Sequence, residues 1–359
     1  MSPGTPDPFA SFGAFTQGIA GLEQLERIRR GFLVHTTAPR PPVGLTPHEV
    51  IHTHDKLSVR YYAPAKPQGL LPVVLVPSLI NRAYILDLEP DRSLVRALSQ
   101  LGHPVYLIDW GEPGIEDADE DLAYVLFDLL HRSMDRARRH AGAQKLILLG
   151  YCMGGILAAM IAALRPQRVA GLVCLNTPAR FSAGGRFHDF VDPAHLDVHT
   201  AFPPGTLVPV ETMKPAFKML DPMGNWSKYL GIEAASREPK ALARAMARER
   251  WLEENVPVSS AFARDLIQYA YQEDRLLAGT WELRGERVDL RRADMPSLVV
   301  CCKKDFIAPP ESTKPLAEAL GRAELVELDV GHIAVVVGSF APKVFYPLLD
   351  KWFRKVGAA

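Results

Sequence analysis

The chain has 359 residues, of which 48% are hydrophobic and 23% charged, and its Lys+Arg and Asp+Glu totals are both 41. This composition is ordinary for a soluble globular protein, and the net charge near zero argues against nucleic-acid binding as the main role. The sequence contains no run of about 18 apolar residues, so we expect no membrane span. The first residues lack the basic-then-apolar order of a signal peptide, and none of the four cysteines has zinc-site spacing. We therefore expect a cytoplasmic protein with reduced cysteines and with no metal or cofactor.

Residues 1–46 are expected to form an arm that leads into one helix. The first 18 residues are rich in Pro, Gly and Phe, which is typical of a loose segment. An amphipathic helix follows, with an apolar face made by Leu22, Leu25, Ile28 and Phe32. This face either packs on the rest of the protein or docks a partner or a hydrophobic particle.

Strand-like and helix-like segments alternate from residue 47 to residue 178. Residues 49–53 and 57–62 resemble a hairpin. Apolar runs predict buried strands at 72–77, 105–109, 146–149 and 169–175, and helices at 93–101, after the acidic segment 116–121, and at 156–164. This alternation predicts a mostly parallel sheet with helices on both faces.

The alternation breaks after residue 178. Residues 179–270 show no obvious strand and turn helical from about 239 to 254, so we expect a cap inserted over the catalytic edge of the sheet. The α/β order returns in residues 271–359, with strands at 297–302 and 324–328 and helices near 312–320 and 341–354. The predicted fold class is therefore α/β, with a core at 47–178 and 271–359, and the strand-turn-helix motif at residues 146–155 makes it an α/β-hydrolase core.

Residues 146–155 read L-I-L-L-G-Y-C-M-G-G, a buried strand that runs into a tight turn. The turn has the G-x-C-x-G form of a nucleophile elbow, with Cys152 where most such enzymes carry serine. A side chain at Gly150 or Gly154 would collide with the neighbouring strand or helix. Backbone N–H groups at the start of the following helix favour a thiolate at Cys152. Short motifs also occur by chance and buried cysteines usually only pack, so the prediction depends on finding partners.

A cysteine nucleophile needs a base and a third group that orients the base. On an α/β-hydrolase sheet the chain order is nucleophile, acid, histidine, and Asp305 and His332 follow two late strands in that order. Asp329 is a competing acid, but it lies too near His332 in sequence to orient it easily. Asp109 also ends a strand and is expected to hydrogen-bond in its own turn.

An oxyanion hole needs two backbone N–H groups. Met153, directly after the nucleophile, is expected to supply one of them. The second should come from the loop of residues 78–81, with Leu79 or Ile80 as the donor.

Several longer segments carry a resemblance to a known family. Residues 77–88 read P-S-L-I-N-R-A-Y-I-L-D-L, and residues 105–111 read V-Y-L-I-D-W-G. Further matching segments are 150–155, 251–257, 271–276, 304–309 and 331–333. Together they resemble the catalytic subunit of a polyhydroxyalkanoate synthase, especially the short class III type, from about residue 50 to the C-terminus.

The resemblance implies that Cys152 takes a 3-hydroxyacyl group from coenzyme A as a thioester, with a short chain such as 3-hydroxybutyryl. The hydroxyl of one acyl unit then attacks another acyl thioester, and a polyester grows. His332 would generate the thiolate, and Asp305 would help to activate the substrate hydroxyl. The implied partners are the acyl-CoA substrate, the growing polyester or granule surface, a second synthase subunit and a second copy in a homodimer. Four basic residues have two possible roles: they either bind the CoA phosphates or are ordinary surface charges. They are Arg291, Arg292, Lys303 and Lys304.

The sequence departs from the family's pattern at three positions. Phe306 stands where His is common, Met153 where Gln or Val is common, and Ala334 where Gly is common. No triad member is lost, so these changes bear on substrate range and on the level of activity. The alternatives are a Cys-His-Asp hydrolase of the dienelactone hydrolase, thioesterase or depolymerase type, and a non-catalytic granule-binding protein.

Overall fold

The computed structural model describes residues 19–220 and 224–358. They divide into a smaller unit of residues 19–42 and 224–250 and a larger unit of residues 43–220 and 251–358. The predicted arm at residues 1–18 lies outside the described residues. The predicted cap has members in both units, and its boundaries stay a prediction.

Twelve strands occur in the described residues, all in the larger unit. In chain order they are β1 (Glu49–His54), β2 (Leu57–Tyr62), β3 (Val73–Val76), β4 (Val105–Asp109), β5 (Leu146–Tyr151), β6 (Val169–Leu175), β7 (Leu207–Val208), β8 (Val258–Ser259), β9 (Glu282–Leu283), β10 (Glu286–Arg287), β11 (Ser297–Cys302) and β12 (Ala323–Leu328). Eight of them form one sheet in the order β1-β2-β4-β3-β5-β6-β11-β12. The pairs β1–β2 and β2–β4 are antiparallel, and every other pair in this sheet is parallel. The predicted mostly parallel α/β-hydrolase sheet is confirmed.

The central strands are buried along their whole length, as the unbroken aliphatic runs predict. Every residue of β3, β5 and β11 is buried, because helices cover both faces of the sheet. The edge strand β1 is more exposed, with no fully buried residue.

Fifteen α-helices occur in the described residues, counting continuous α and π segments as one and leaving out the short 3₁₀ helices. They are α1 (Ile19–Thr37), α2 (Leu94–Gln100), α3 (Leu122–Tyr124 with Val125–His131 and Arg132–His140), α4 (Met153–Leu164), α5 (Arg186–Val191), α6 (Val198–Ala201), α7 (Val210–Leu220), α8 (Gly224–Ala235), α9 (Pro239–Glu253), α10 (Ser260–Asp265 with Leu266–Gln272), α11 (Arg275–Ala278), α12 (Pro310–Thr313), α13 (Pro315–Ala319), α14 (Ala334–Val337) and α15 (Ala341–Phe345 with Tyr346–Gly357). Helix α4, the buried helix after the elbow, has eleven buried residues, which explains its apolar sequence.

Two predicted segments differ in detail from the structure. The helix expected at 312–320 is broken into α12 and α13, because Pro315 has no N–H with which to continue a helix. The stretch from 179 to 270, in which no strand was expected, contains the antiparallel pair β7–β8. Each of these strands has only two residues, too few to produce a periodic pattern.

The smaller unit contains the predicted amphipathic helix α1, which packs on α8. A Cβ atom at Gly31 would overlap the backbone of Tyr229, so the glycine allows the two helices to approach closely. Val34 packs against a small apolar cluster that includes Ile232 and Met246. An ion pair of 3.0 Å between Arg27 Nε and Glu233 Oε2 adds to this contact.

The predicted apolar face of α1 is only partly buried. Leu22 is 61% exposed and Phe32 is 48% exposed. The closest contact is set by the missing side chain at Gly31 rather than by the largest apolar residues.

The sheet topology brings the ends of five parallel strands to one edge. The loops that follow β3, β5, β6, β11 and β12 carry Leu79, Cys152, Asn176, Asp305 and His332. In open α/β sheets ligands bind at this edge, so the fold alone predicts the location of a site.

Candidate active site

Cys152 lies between β5 and α4 in a strained conformation. Its φ is 56° and its ψ is −124°, a region that residues with side chains rarely adopt. A Cβ at Gly154 would overlap the carbonyl oxygen of Val76, and one at Gly150 would overlap Gly155. The predicted steric need for these glycines is confirmed. Cys152 is half-buried, whereas the other three cysteines are buried.

Asp305 and His332 are joined by a hydrogen bond of 2.6 Å between Oδ2 and Nδ1. Both side chains are buried. The other carboxylate oxygen, Oδ1, accepts the backbone N–H groups of Ile307 and Ala308, each at 2.9 Å. The turn after β11 therefore fixes the carboxylate, and the carboxylate fixes the imidazole ring.

His332 is also linked to Cys152. Burial by itself lowers the pKa of His332, but the charge of Asp305, the charge of Cys152 and hydrogen bonds to both side chains outweigh burial and raise it to about 10. The Asp305 carboxylate and the Cys152 sulfur therefore both favour the protonated form of the imidazole. The structure brings together the three residues that the sequence analysis singled out.

The competing acids lie elsewhere. Asp329 is exposed and forms an ion pair of 2.9 Å with Lys304. Asp109 pairs with Arg60 and accepts the backbone N–H of Gly111 at 3.2 Å, which matches its predicted place in a turn.

Two of the basic residues considered for CoA phosphates already have acidic neighbours. Lys304 pairs with Asp329, and Arg291 pairs with Asp289 at 2.9 Å.

The other cysteines are poor candidates for a nucleophile. Cys174, Cys301 and Cys302 are buried and form no disulfide. Burial raises their pKa values to about 12, 11 and 12, respectively.

The loop expected to supply the second oxyanion N–H is held in place by hydrogen bonds that other segments donate to its carbonyl oxygens. Trp110 Nε1 donates to the Pro77 oxygen at 3.0 Å. The Ile80 oxygen accepts the backbone N–H of Val256 at 3.1 Å and the side-chain amide of Asn255 at 3.3 Å. These tryptophan and asparagine contacts could not be read from local sequence, because their donors come from distant segments.

Met153 and Ile80 lie in one apolar cluster. Their side chains pack with Val208, Val258 and Ala263, which come from the stretch predicted as a cap. Met153 is the first residue of α4, so its N–H has no acceptor within the helix. Leu79 is half-buried beside the main core.

Two further residues contact His332 and were missed by the sequence analysis. Tyr151 and Asn176 both donate side-chain hydrogen bonds to the main-chain oxygen of His332, each at 3.1 Å. Their positions directly before the nucleophile and directly after β6 are the only signals that the sequence contains.

Metal and membrane sites are absent from the described part of the chain. Residues 19–220 and 224–358 contain no group of three His, Cys, Asp or Glu side chains that could hold a metal ion. None of their helices is both long enough and apolar enough to cross a bilayer.

Comparison with protein families gives two matches. Residues 72–339 match the α/β-hydrolase fold family. Residues 41–98 match the N-terminus of poly-beta-hydroxybutyrate polymerase (PhaC).

Several curated proteins named poly(3-hydroxyalkanoate) polymerase subunit PhaC are similar to this chain. The protein from Haloferax mediterranei is 32% identical over 324 residues, which cover 89% of this chain and 66% of that protein. The protein from Haloarcula marismortui is 30% identical over 326 residues, covering 87% of this chain and 68% of that protein. The protein from Allochromatium vinosum is 28% identical over 343 residues, covering 93% of this chain and 96% of that protein.

Solved structures support the fold alone. An enol-lactonase from Burkholderia xenovorans aligns with a TM-score of 0.52 at 18% identity, covering 86% of this chain and all of that one. An esterase from Thermogutta terrifontis aligns with a TM-score of 0.52 at 18% identity, covering 87% of this chain and 99% of that one.

Proposed function

The chain belongs to the family of poly(3-hydroxyalkanoate) polymerase subunits PhaC, and we propose that it polymerises short 3-hydroxyacyl-CoA, such as 3-hydroxybutyryl-CoA, through an acyl thioester on Cys152. One observation supports this most directly. A buried histidine, held by Asp305 at 2.6 Å, is electrostatically coupled to a cysteine at a strained elbow.

In the acylation step the Cys152 sulfur, having given its proton to His332, attacks the thioester carbonyl. A C–S bond forms, the carbonyl oxygen becomes an oxyanion, and its collapse breaks the bond to the sulfur of CoA. His332 returns the proton to that sulfur, so free CoA leaves. The exchange replaces one thioester with another and is therefore nearly balanced in free energy.

In the elongation step the hydroxyl oxygen of one acyl unit attacks the carbonyl of another acyl thioester. His332 takes the hydroxyl proton, with Asp305 balancing the charge on the ring. An ester C–O bond forms, and the departing sulfur is a thiolate that can accept the next acyl group. Asp305 thus contributes to activating the hydroxyl as well as to orienting the ring.

The oxyanion in both steps is assigned to the backbone N–H of Met153 and to that of Leu79 or Ile80. The hydrogen bonds that hold the loop of residues 78–81 support this assignment. Trp110 and Val256 hold its carbonyl groups, which limits the directions its N–H groups can take.

Exclusion of water is part of the proposal, because hydrolysis competes with every thioester intermediate. The cap of residues 179–270 supplies apolar side chains at Val208, Val258 and Ala263 that pack on Met153 and Ile80. An apolar cover that excludes water from the site favours attack by a bound hydroxyl over attack by water.

The assembly is proposed from the family. The polymerase would act as a homodimer with a second synthase subunit, at the surface of polyester granules in the cytoplasm. Co-expression with the neighbouring subunit and light scattering test this directly.

Incubation with 3-hydroxybutyryl-CoA discriminates the proposed function from the alternatives. Release of CoA together with polymer supports a polymerase, while CoA with free acid indicates a hydrolase and no turnover indicates a non-catalytic protein. Cys152→Ala should abolish acylation, and Cys301→Ala, which alters a buried thiol on β11, should retain it. Polymer formation by Cys152→Ala would contradict the central role of this residue.

A further inference from the structure

The main-chain oxygen of His332 accepts two buried side-chain hydrogen bonds. Tyr151 donates its hydroxyl and Asn176 donates its amide, each at 3.1 Å. Tyr151 is the last residue of β5 and Asn176 directly follows the neighbouring parallel strand β6, whereas His332 lies in the loop after β12. Both donors to this oxygen therefore come from parts of the chain more than 150 residues away from His332 in sequence.

Asn176 is itself held in a costly conformation. Its φ is 46°, in the left-handed region that asparagine tolerates better than most residues. Its backbone N–H donates to the oxygen of Val300 at 2.9 Å, and the residue is fully buried. Its side-chain oxygen Oδ1 is buried and has no hydrogen-bond partner among the residues that the structure describes.

A buried orphan acceptor and a left-handed backbone both reduce stability. An aliphatic residue at this place would avoid the first cost. Such a residue would lack the amide, which hydrogen-bonds the main-chain oxygen of His332 and also the side chain of Cys302. Of these two bonds, the one to His332 reaches the candidate active site.

Tyr151 contacts the same histidine twice. Its ring lies beside the imidazole with a centroid separation of 5.2 Å, and its hydroxyl grips the carbonyl of the same residue. Burial raises the pKa of this hydroxyl well above its ordinary value, so it remains a donor throughout the working pH range.

We propose that Asn176, together with Tyr151, is a positioning residue that clamps the main chain of His332 while Asp305 orients its ring. The inference rests on the proposed function of His332 as the proton carrier for Cys152. Two independent anchors keep the imidazole in register with the sulfur through both proton transfers, although the acyl group bound beside it changes length.

The test uses three variants of the full chain. Tyr151→Phe removes only the hydroxyl. Asn176→Gly removes the amide but accepts a left-handed backbone without strain. The double variant removes both donors. The matched control is Tyr106→Phe, which deletes a buried hydroxyl on β4 that bonds His140 at 2.9 Å and does not contact His332.

Two measurements separate positioning from stability. The first is the rate at which iodoacetamide alkylates Cys152 at neutral pH, which needs no acyl-CoA and therefore remains informative if the proposed polymerase activity fails. The second is kcat and KM for CoA release from 3-hydroxybutyryl-CoA, which tests the polymerase activity itself.

Each single variant should lower the alkylation rate and kcat about fivefold, as expected for loss of one hydrogen bond, with KM within twofold. The double variant should lose more than either single variant, and Tyr106→Phe should match the parent in both measurements. The proposal is overturned if Tyr151→Phe and the double variant keep the parent rates, or if Tyr106→Phe loses as much as they do. If the parent releases no CoA even when it is co-expressed with the second synthase subunit, while the alkylation rates fall as expected, the polymerase assignment is wrong and the clamp stands.

Discussion

The Oδ2 atom of Asp305 accepts a 2.6 Å hydrogen bond from His332, while its Oδ1 atom is already held by two backbone N–H groups. Neither oxygen is free to rotate away. The orientation of the imidazole is therefore decided by a turn of the backbone after β11, and changes at this carboxylate should affect the histidine directly.

Asp305→Asn should leave acylation measurable and reduce elongation by at least about 100-fold. The amide would put an N–H opposite Nδ1 of His332 and favour the wrong tautomer, while the fixed geometry around it stays intact. CoA release in a single turnover and polymer yield measure the two steps separately. The control is Asp329→Asn, an exposed acid paired with Lys304, which should behave as the parent. Normal elongation by Asp305→Asn would contradict the role assigned to the acid.

The raised pKa of His332 predicts that stability falls at alkaline pH. The folded histidine, with a pKa of about 10, binds a proton between pH 6.5 and 10 that the unfolded histidine releases. This contribution is fully present below pH 6.5 and is lost as the pH rises through 10.

Urea unfolding across this pH range checks the prediction. The His332→Gln variant serves as the reference, because subtraction removes the other titrating groups. The free energy of unfolding of the parent should fall more steeply with pH than that of the variant. Parallel curves would mean that His332 does not hold the extra proton.

One thiol of the native protein should react quickly with a disulfide reagent. Cys174, Cys301 and Cys302 are buried with raised pKa values, whereas Cys152 is half-buried at the end of a strand. A spectrophotometric thiol titration should give one fast equivalent, with the other three appearing only after denaturation. Cys152→Ala should remove the fast phase, and its persistence in that variant would show that another thiol is reactive.

Gly154→Ala should lower the free energy of unfolding by about 1–3 kcal/mol or prevent folding, since the new methyl group would overlap the backbone of Val76. Gly231→Ala is a matched control in the interior of α8, where a Cβ atom has open space. That change should raise stability by about 0.5–1 kcal/mol through helix propensity alone. Chemical denaturation of both variants decides the matter, and equal effects would rule out the steric account.

The elbow, the acid and the histidine could be predicted because their signals are local. A glycine-flanked cysteine after an aliphatic run, and an Asp and a His directly after late strands, are visible in short windows of sequence. The mostly parallel sheet with helices on both faces then follows from the alternation of strands and helices.

The supports of the site could not be predicted, because they depend on which distant segments the sheet brings together. Nothing near Asn176 in sequence indicates that its amide meets the carbonyl of His332. Trp110, which donates to the Pro77 oxygen, and Asn255, which donates to the Ile80 oxygen, also come from other segments of the chain.

The close approach of α1 to α8 could not be predicted for a different physical reason. Apolar periodicity finds the largest side chains, but the close contact with Tyr229 is made where a side chain is missing, at Gly31.

The pairing of β6 with β11 has a consequence for the order in which the parts of the site are synthesised. These strands are adjacent in the sheet, yet more than 120 residues separate them along the chain. During synthesis the elbow strand and its neighbours leave the ribosome well before the acid and the histidine exist. A nascent chain therefore carries Cys152 before Asp305 and His332 have been synthesised, and under the proposed function it cannot accept acyl groups until residue 332 has left the ribosome.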